Sequence, residues 1–348
     1  AWLVSAGRFK AIDRIRRRAR HAALVEELAR DLEEAVADEP MDAQTIVDDQ
    51  LRLIFACCHP ALAPDAQVAL ALREICGLTT EQIAAAFLVP APTLAQRIVR
   101  AKARIREARL PYVVPDREAL PERLEMVLHA IYLVFNEGYS APAGGADLAA
   151  EAIRLGRLLV ELLPEPEALG LLGLMLLNES RRGARLSPAG ETILIGDQDR
   201  SRWNRDMIGE GAACVRRALE SGRAGTFVIQ AAIALHHAEA PSAEATDWAA
   251  IARWYDALIA VQPTPVVALN RAVAVAMRDG AEAGLAIIEA LLADGALSGY
   301  HLAHAARADL CRRLGRPEEA RRAYESALGL ARDEADRRFL RRRLAELG

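Results

Sequence analysis

The sequence predicts an all-α protein, and three observations carry that expectation. Hydrophobic residues make up 52% of the chain but aromatics only 5%, and the abundant Ala, Leu, Arg and Glu lose little freedom in a helix. Apolar residues recur at three- and four-residue spacing through most of the 348 positions. One stretch, "ARLSPAGETILIGDQDRSRW", instead sets a Pro-Ala-Gly turn before a β-branched run, so at most one small β-hairpin is expected. The length suggests two or three domains, at about 150 residues each.

The opening "AWLVSAGRFKAIDRIRRRARHAAL" places Trp2, Leu3, Ala6, Phe9, Ile12 and Ile15 at helical spacing. Its other side carries Arg8, Lys10, Arg14, Arg16, Arg17, Arg18 and Arg20, with Asp13 the one acid among them. This is a basic helical arm, either solvated or bound to nucleic acid. The chain starts at Ala1 in the middle of this helical pattern, which reads as a fragment of something longer. An acidic stretch, "EELARDLEEAVADEP" (26–40), carries the first segment, residues 1–36, into residues 37–47, which read as a linker.

Residues 48–110 read as a compact helical module: "DDQLRLIFACCHPAL", "PDAQVALALREICG", "TTEQIAAAFL" and "PTLAQRIVRAKARIREARL". Pro60 and Pro64 break its first boundary. Gly77 suits a helix C-cap and Thr79 or Thr80 the next N-cap. "CCHP" has no second Cys/His pair at finger spacing, so buried thiols beside a helix end are expected, with no metal. The five cysteines (Cys57, Cys58, Cys76, Cys214, Cys311) are odd in number and scattered, which suits a reducing cytoplasm.

The last piece of the module bears most on function. Leu94, Ile98, Ala101 and Ile105 form one apolar stripe. Thr93, Gln96, Arg100 and Arg104 share the opposite face, with Arg97 on its shoulder and Lys102 on the other flank. Pro92 suits a first helical turn, which sets Thr93, Gln96 and Arg97 where a recognition helix meets bases. Gln pairs with adenine and Arg with guanine, while other cations reach phosphate. Spacing alone leaves two readings open, a helix-turn-helix and a solvated Arg-rich face. The net charge of −4 confines any nucleic-acid footprint to a local patch.

"LPYVVPDREALP" gives a connector over 111–121. Residues 122–243 then resume helical patterns, and 244–348 read as helix pairs of about 34 residues each, the length of a tetratricopeptide (TPR) unit. "YHLAHAARADLCRRLGRPEEARRAYESALGLA" is the clearest pair. "FNEGYSAPAGGAD" and "GDQDRSRWNRD" concentrate Asn136, Glu137, Tyr139, Asp197, Asp199, Arg200, Trp203 and Asn204. That set reads either as a ligand or partner site or as ion pairs and loop caps. The chain has no HExxH, P-loop or nucleophile elbow, and His236 and His237 are adjacent rather than four apart. No catalysis and no cofactor are therefore expected. No apolar run reaches the roughly 20 residues of a membrane span, and no signal peptide is present. A cytoplasmic protein follows.

Several motifs together resemble sigma-70-family RNA polymerase sigma factors of the extracytoplasmic-function type. Residues 48–110 look like sigma domain 4, and the basic arm looks like the end of domain 2. "LRLIFACCHPAL", "FLVPAPTLAQR", "AIYLVFNEGYSA", "LGLMLLNESRR" and "DQDRSRWN" are similar to the subgroup with a long C-terminal TPR-like extension. The resemblance implies that Thr93, Gln96, Arg97 and Arg100 face the −35 promoter element and that Lys102 and Arg104 contact phosphate. It sets Arg8, Lys10, Arg14 and Arg17 near −10 DNA. It also implies core RNA polymerase and promoter DNA as partners, a regulatory protein or peptide on the extension, and no N-terminal part of domain 2 in this chain. Leu88 stands where most such turns carry glycine. The alternative is a TPR-like scaffold or ligand sensor with an incidental helix-turn-helix.

Overall fold

A computed structural model describes residues 52–75, 77–86, 89–109, 119–140 and 145–347. They fall in two compact units, divided between Leu162 and Leu163. The basic arm with Arg8, Lys10, Arg14 and Arg17, the linkers at 37–47 and 111–118, and Leu88 lie outside the described residues. The described residues are mainly helical, with no strand among them.

The first described helix of this unit is α1 (residues 52–57), whose end is the "CCHP" turn. Cys57 and Cys58 are buried there, and burial pushes the Cys58 thiol up to about 12. Gln67, itself buried, donates from Nε2 to the carbonyls of His59 and Leu62, both at 2.9 Å. That stitches the turn to α2 (Pro64–Leu70), which has proline in its first turn. The helix widens into a π-helical turn, Ala71–Ile75. Gly77 (φ +65°) ends it in the left-handed region, and Leu78 N–H reaches back to the Leu72 carbonyl at 3.1 Å. The Arg73 guanidinium donates to Thr80 Oγ1 (3.2 Å), bracing the turn that leads into α3 (Thr80–Ala86). The fourth helix, α4 (Ala91–Glu107), packs on α2 and α3.

Two longer helices complete this unit, α5 (Leu120–Ser140) and α6 (Gly145–Leu162), packed on each other. α5 also lies against α2 and the π-helical turn. Its buried Arg123 donates to the Phe55 carbonyl of α1. A cation is favourable there, because the last carbonyls of a helix carry partial negative charge.

In the second unit α7 (Pro166–Glu179), α8 (Arg205–Glu220) and α9 (Thr226–Glu239) pack mutually. Then α10 (Trp248–Val261), α11 (Pro265–Asp279), α12 (Ala281–Ala293), α13 (His301–Arg313), α14 (Pro317–Leu330) and α15 (Glu334–Ala345) each pack on the next. Asn204, Asp247, Thr264 and Asp333 cap their helices through side-chain oxygens. Close crossings need glycine. A Cβ on Gly170 would lie 2.5 Å from Val228 N, and one on Gly284 would lie 2.3 Å from Ala276 Cβ. α9 starts at Gly225, which has no side-chain cap. Glu167 of α7 caps it instead, accepting from the N–H groups of Gly225 (3.1 Å), Phe227 (2.9 Å) and Val228 (3.2 Å).

The expected hairpin shrinks to one bridge, Leu186 with Thr192. Gly190 (φ +75°) makes its tight turn, but short 3₁₀ turns at Ile195–Asp197 and Arg200–Arg202 follow in place of a returning strand. This strap runs from the end of α7 and fastens to the last helix. Arg338 donates to the Ala189 carbonyl (2.8 Å), Thr192 Oγ1 donates to Asp336 (3.2 Å), and Arg342 pairs with Glu191 (3.4 Å).

Candidate nucleic-acid interface

The pair α3–α4 presents one polar face. Leu94, Ile98 and Ala101 of α4 are buried beneath it, and Ile105, expected on the same stripe, is half-buried. Pro90 is extended (ψ 137°) and leaves α4 with no side-chain cap. Pro92 has no N–H and the Thr93 N–H bonds the Pro90 carbonyl (3.0 Å), so this end offers an anion the Ala91 N–H and the helix's partial positive charge. Thr93, Gln96, Arg100 and Arg104 are exposed on that face.

The cations there are not equivalent. Arg97 Nη1 lies 3.3 Å from Asp65 Oδ2, with the Arg97 side chain 28% and the Asp65 side chain 68% exposed. Lys102 Nζ lies 2.8 Å from Glu74 Oε1, and the Glu74 side chain is only 13% exposed. Among the described residues Arg100 and Arg104 pair with no carboxylate. Val99, 64% exposed, adds an apolar surface to the edge of the face. Sequence reasoning missed Asp65, Glu74 and Val99. The two acids lie on the α2 segment, far from α4 in sequence, and helical periodicity does not say which helices meet. Val99 was legible as a branched apolar residue off the buried stripe.

The second candidate set is divided. Asn136 and Tyr139 lie on α5 of the first unit, half-buried, with Tyr139 stacked on Phe135 at 5.3 Å between ring centroids. The Glu137 side chain lies outside the described residues. The other five belong to the second unit, where most of them tie the strap down. Asp199 accepts from Ser201 N (3.0 Å) and Oγ (2.7 Å), and these bonds hold its carboxyl below the usual range. Asn204 Oδ1 accepts from Met207 N (3.1 Å). Arg200 donates to the carbonyls of His237 (2.7 Å) and Ala240 (3.0 Å) and stacks over the buried Trp203 ring at 4.5 Å. Asp197 is exposed at the end of a 3₁₀ turn. Beside Arg200, burial pushes the His237 imidazole down to about 4, helped by the charges of Arg181 and Arg200.

Among the described residues no group of three or more His, Cys, Asp or Glu could hold a metal ion, and no helix is long and apolar enough to cross a membrane.

Comparison with known proteins agrees with this geometry. The model of sigma-70 region 4 matches residues 52–105, which contain α1 to α4 up to Ile105. The model of a family of unknown function (DUF6596) matches residues 123–219. An uncharacterized protein of Rhizobium meliloti (strain 1021) is 47% identical over 355 residues, spanning 100% of this chain and 84% of its own length. Region 4 gives the chain a sigma-factor-like DNA-binding role, with RNA polymerase and promoter DNA as the partners it implies. The chain belongs to the same family as the Rhizobium protein, and it carries a sigma-70 region 4 domain at residues 52–105.

Proposed function

We propose that this protein is a sigma factor of the extracytoplasmic-function type, which reads a −35 promoter element through α4 and directs core RNA polymerase to initiate there. The observation that carries the reading is the α4 face. Thr93, Gln96, Arg97 and Arg100 line it around an uncapped helix start, and Arg104 follows one turn later for phosphate. The basic arm with Arg8, Lys10, Arg14 and Arg17 lies near −10 DNA in this reading. The helices after region 4 form a TPR-like extension that regulates initiation by engaging a protein or peptide partner.

The test is promoter-directed transcription with core polymerase and the full-length protein, together with binding to its −35 duplex. Arg100→Ala removes about 1–3 kcal/mol of discrimination against a scrambled −35 duplex. Equal losses on both duplexes refute base reading by Arg100. Control by the extension is tested by deletion after Leu162, because α5 and α6 pack with region 4 in the first unit. Unchanged transcription output would refute it.

A further inference from the structure

We infer that Asp65 is a positioning residue that makes Arg97 favour a base edge over a phosphate. The inference rests on α4 reading DNA.

A phosphate carries a full negative charge, whereas a base edge carries none. At 3.3 Å from Arg97 Nη1, the Asp65 carboxylate matches the guanidinium charge. A phosphate that approaches Arg97 meets this second negative charge. An uncharged guanine edge meets only the N–H groups that remain, and a guanidinium has five in a fixed fork. Asp65 thus subtracts Arg97 from the sequence-independent attraction and leaves its directional bonding. Arg104, with no paired carboxylate among the described residues, supplies that attraction instead. The placement suits the task. Asp65 sits in the first turn of α2, which packs on α4, so the carboxylate is fixed to a packed helix rather than to a loop. It is also 68% exposed, so its tie to Arg97 is weak enough to be shared with DNA.

The experiment is a set of DNA-binding titrations on the full chain, at several salt concentrations, with two probes. One is a random-sequence duplex. The other is a duplex enriched by the wild-type chain from a randomised 20-base-pair pool. Asp65→Asn should steepen the log K versus log salt slope on the random duplex by about 0.9, the value of one added phosphate contact. It should also cut the preference for the enriched duplex by about fivefold, the lower end of one base contact. Asp65→Glu should restore both. In an Arg97→Gln background, Asp65→Asn should change neither. An unchanged slope in Asp65→Asn overturns the inference. So does an equal steepening with and without Arg97, which would make Asp65 a general surface charge. If the wild-type chain enriches no sequence, base reading by α4 fails. The slope comparison then still decides whether Asp65 acts through Arg97.

Discussion

Arg123 is where the helices after region 4 can be shown to matter to it. The residue opens α5, is 8% exposed and donates to the Phe55 carbonyl of α1. A hydrogen bond from a charged group contributes about 1.5–3 kcal/mol, and a cation at a helix C-terminus about 0.3–1. Burial opposes this. It lowers the pKa of the guanidinium, and Nε has no partner. Arg123→Met keeps most of the apolar stem and removes the charge, so its net cost is about 1.5 kcal/mol. Arg123→Ala also loses buried methylenes at about 0.8 kcal/mol each, for a total of about 3.5 kcal/mol. Native-state hydrogen exchange on the full chain measures both. The slowest amides of α4 and α5 should exchange about tenfold faster in Arg123→Met and about 300-fold faster in Arg123→Ala. Those of α11 to α14, in the other unit, should keep their rates. Unchanged exchange in α4 would show that Arg123 holds nothing together. Equal acceleration in both units would show that the two do not unfold separately.

Two further outcomes follow from the second unit. Gly284→Ala drives a methyl to 2.3 Å from Ala276 Cβ and 2.6 Å from the Ala272 carbonyl, so α11 and α12 must part. It should cost at least about 2 kcal/mol and lower the melting temperature by about 4–8 °C. Gly329→Ala, with nothing within 4 Å, should instead match or raise it. The His237 imidazole titrates near 4 in the fold against an ordinary 6.5. The unfolded chain therefore binds the proton first, and stability falls as pH drops from about 6.5 to 4. The loss between pH 7 and pH 5 is about 2 kcal/mol. His237→Gln should flatten that part of the pH–melting curve, and an equally steep curve would refute the assignment.

Features written in short windows were legible in the sequence. Gly77 was expected to cap a helix and has a left-handed φ. Leu94, Ile98 and Ala101 were expected to be buried, and they are. These follow from local sterics and helical period, which need no knowledge of the partner helix. What the window could not hold were pairings across the chain. Glu167 reads as one acid among several near a helix start, yet it caps α9, a helix about sixty positions later. Asp65 and Glu74 had no visible tie to α4. The strap shows the opposite error. Its β-branched run favoured strands, but among the described residues there is no neighbouring strand to pair with, and the segment takes 3₁₀ turns instead.

The strap also sets a timetable for making the protein. Ala189 and Arg338 are 149 residues apart, and Thr192 and Asp336 are 144 apart. At about 5–20 residues per second, a ribosome needs on the order of ten seconds to synthesise the stretch between them. Throughout that interval the nascent chain carries Leu186 and Leu194, both substantially exposed even in the finished fold, with no last helix to close over the turn. A chain released before α15 emerges would hold nearly every other helix and still present an unfastened segment. Chaperones and proteases that survey new chains would find it there.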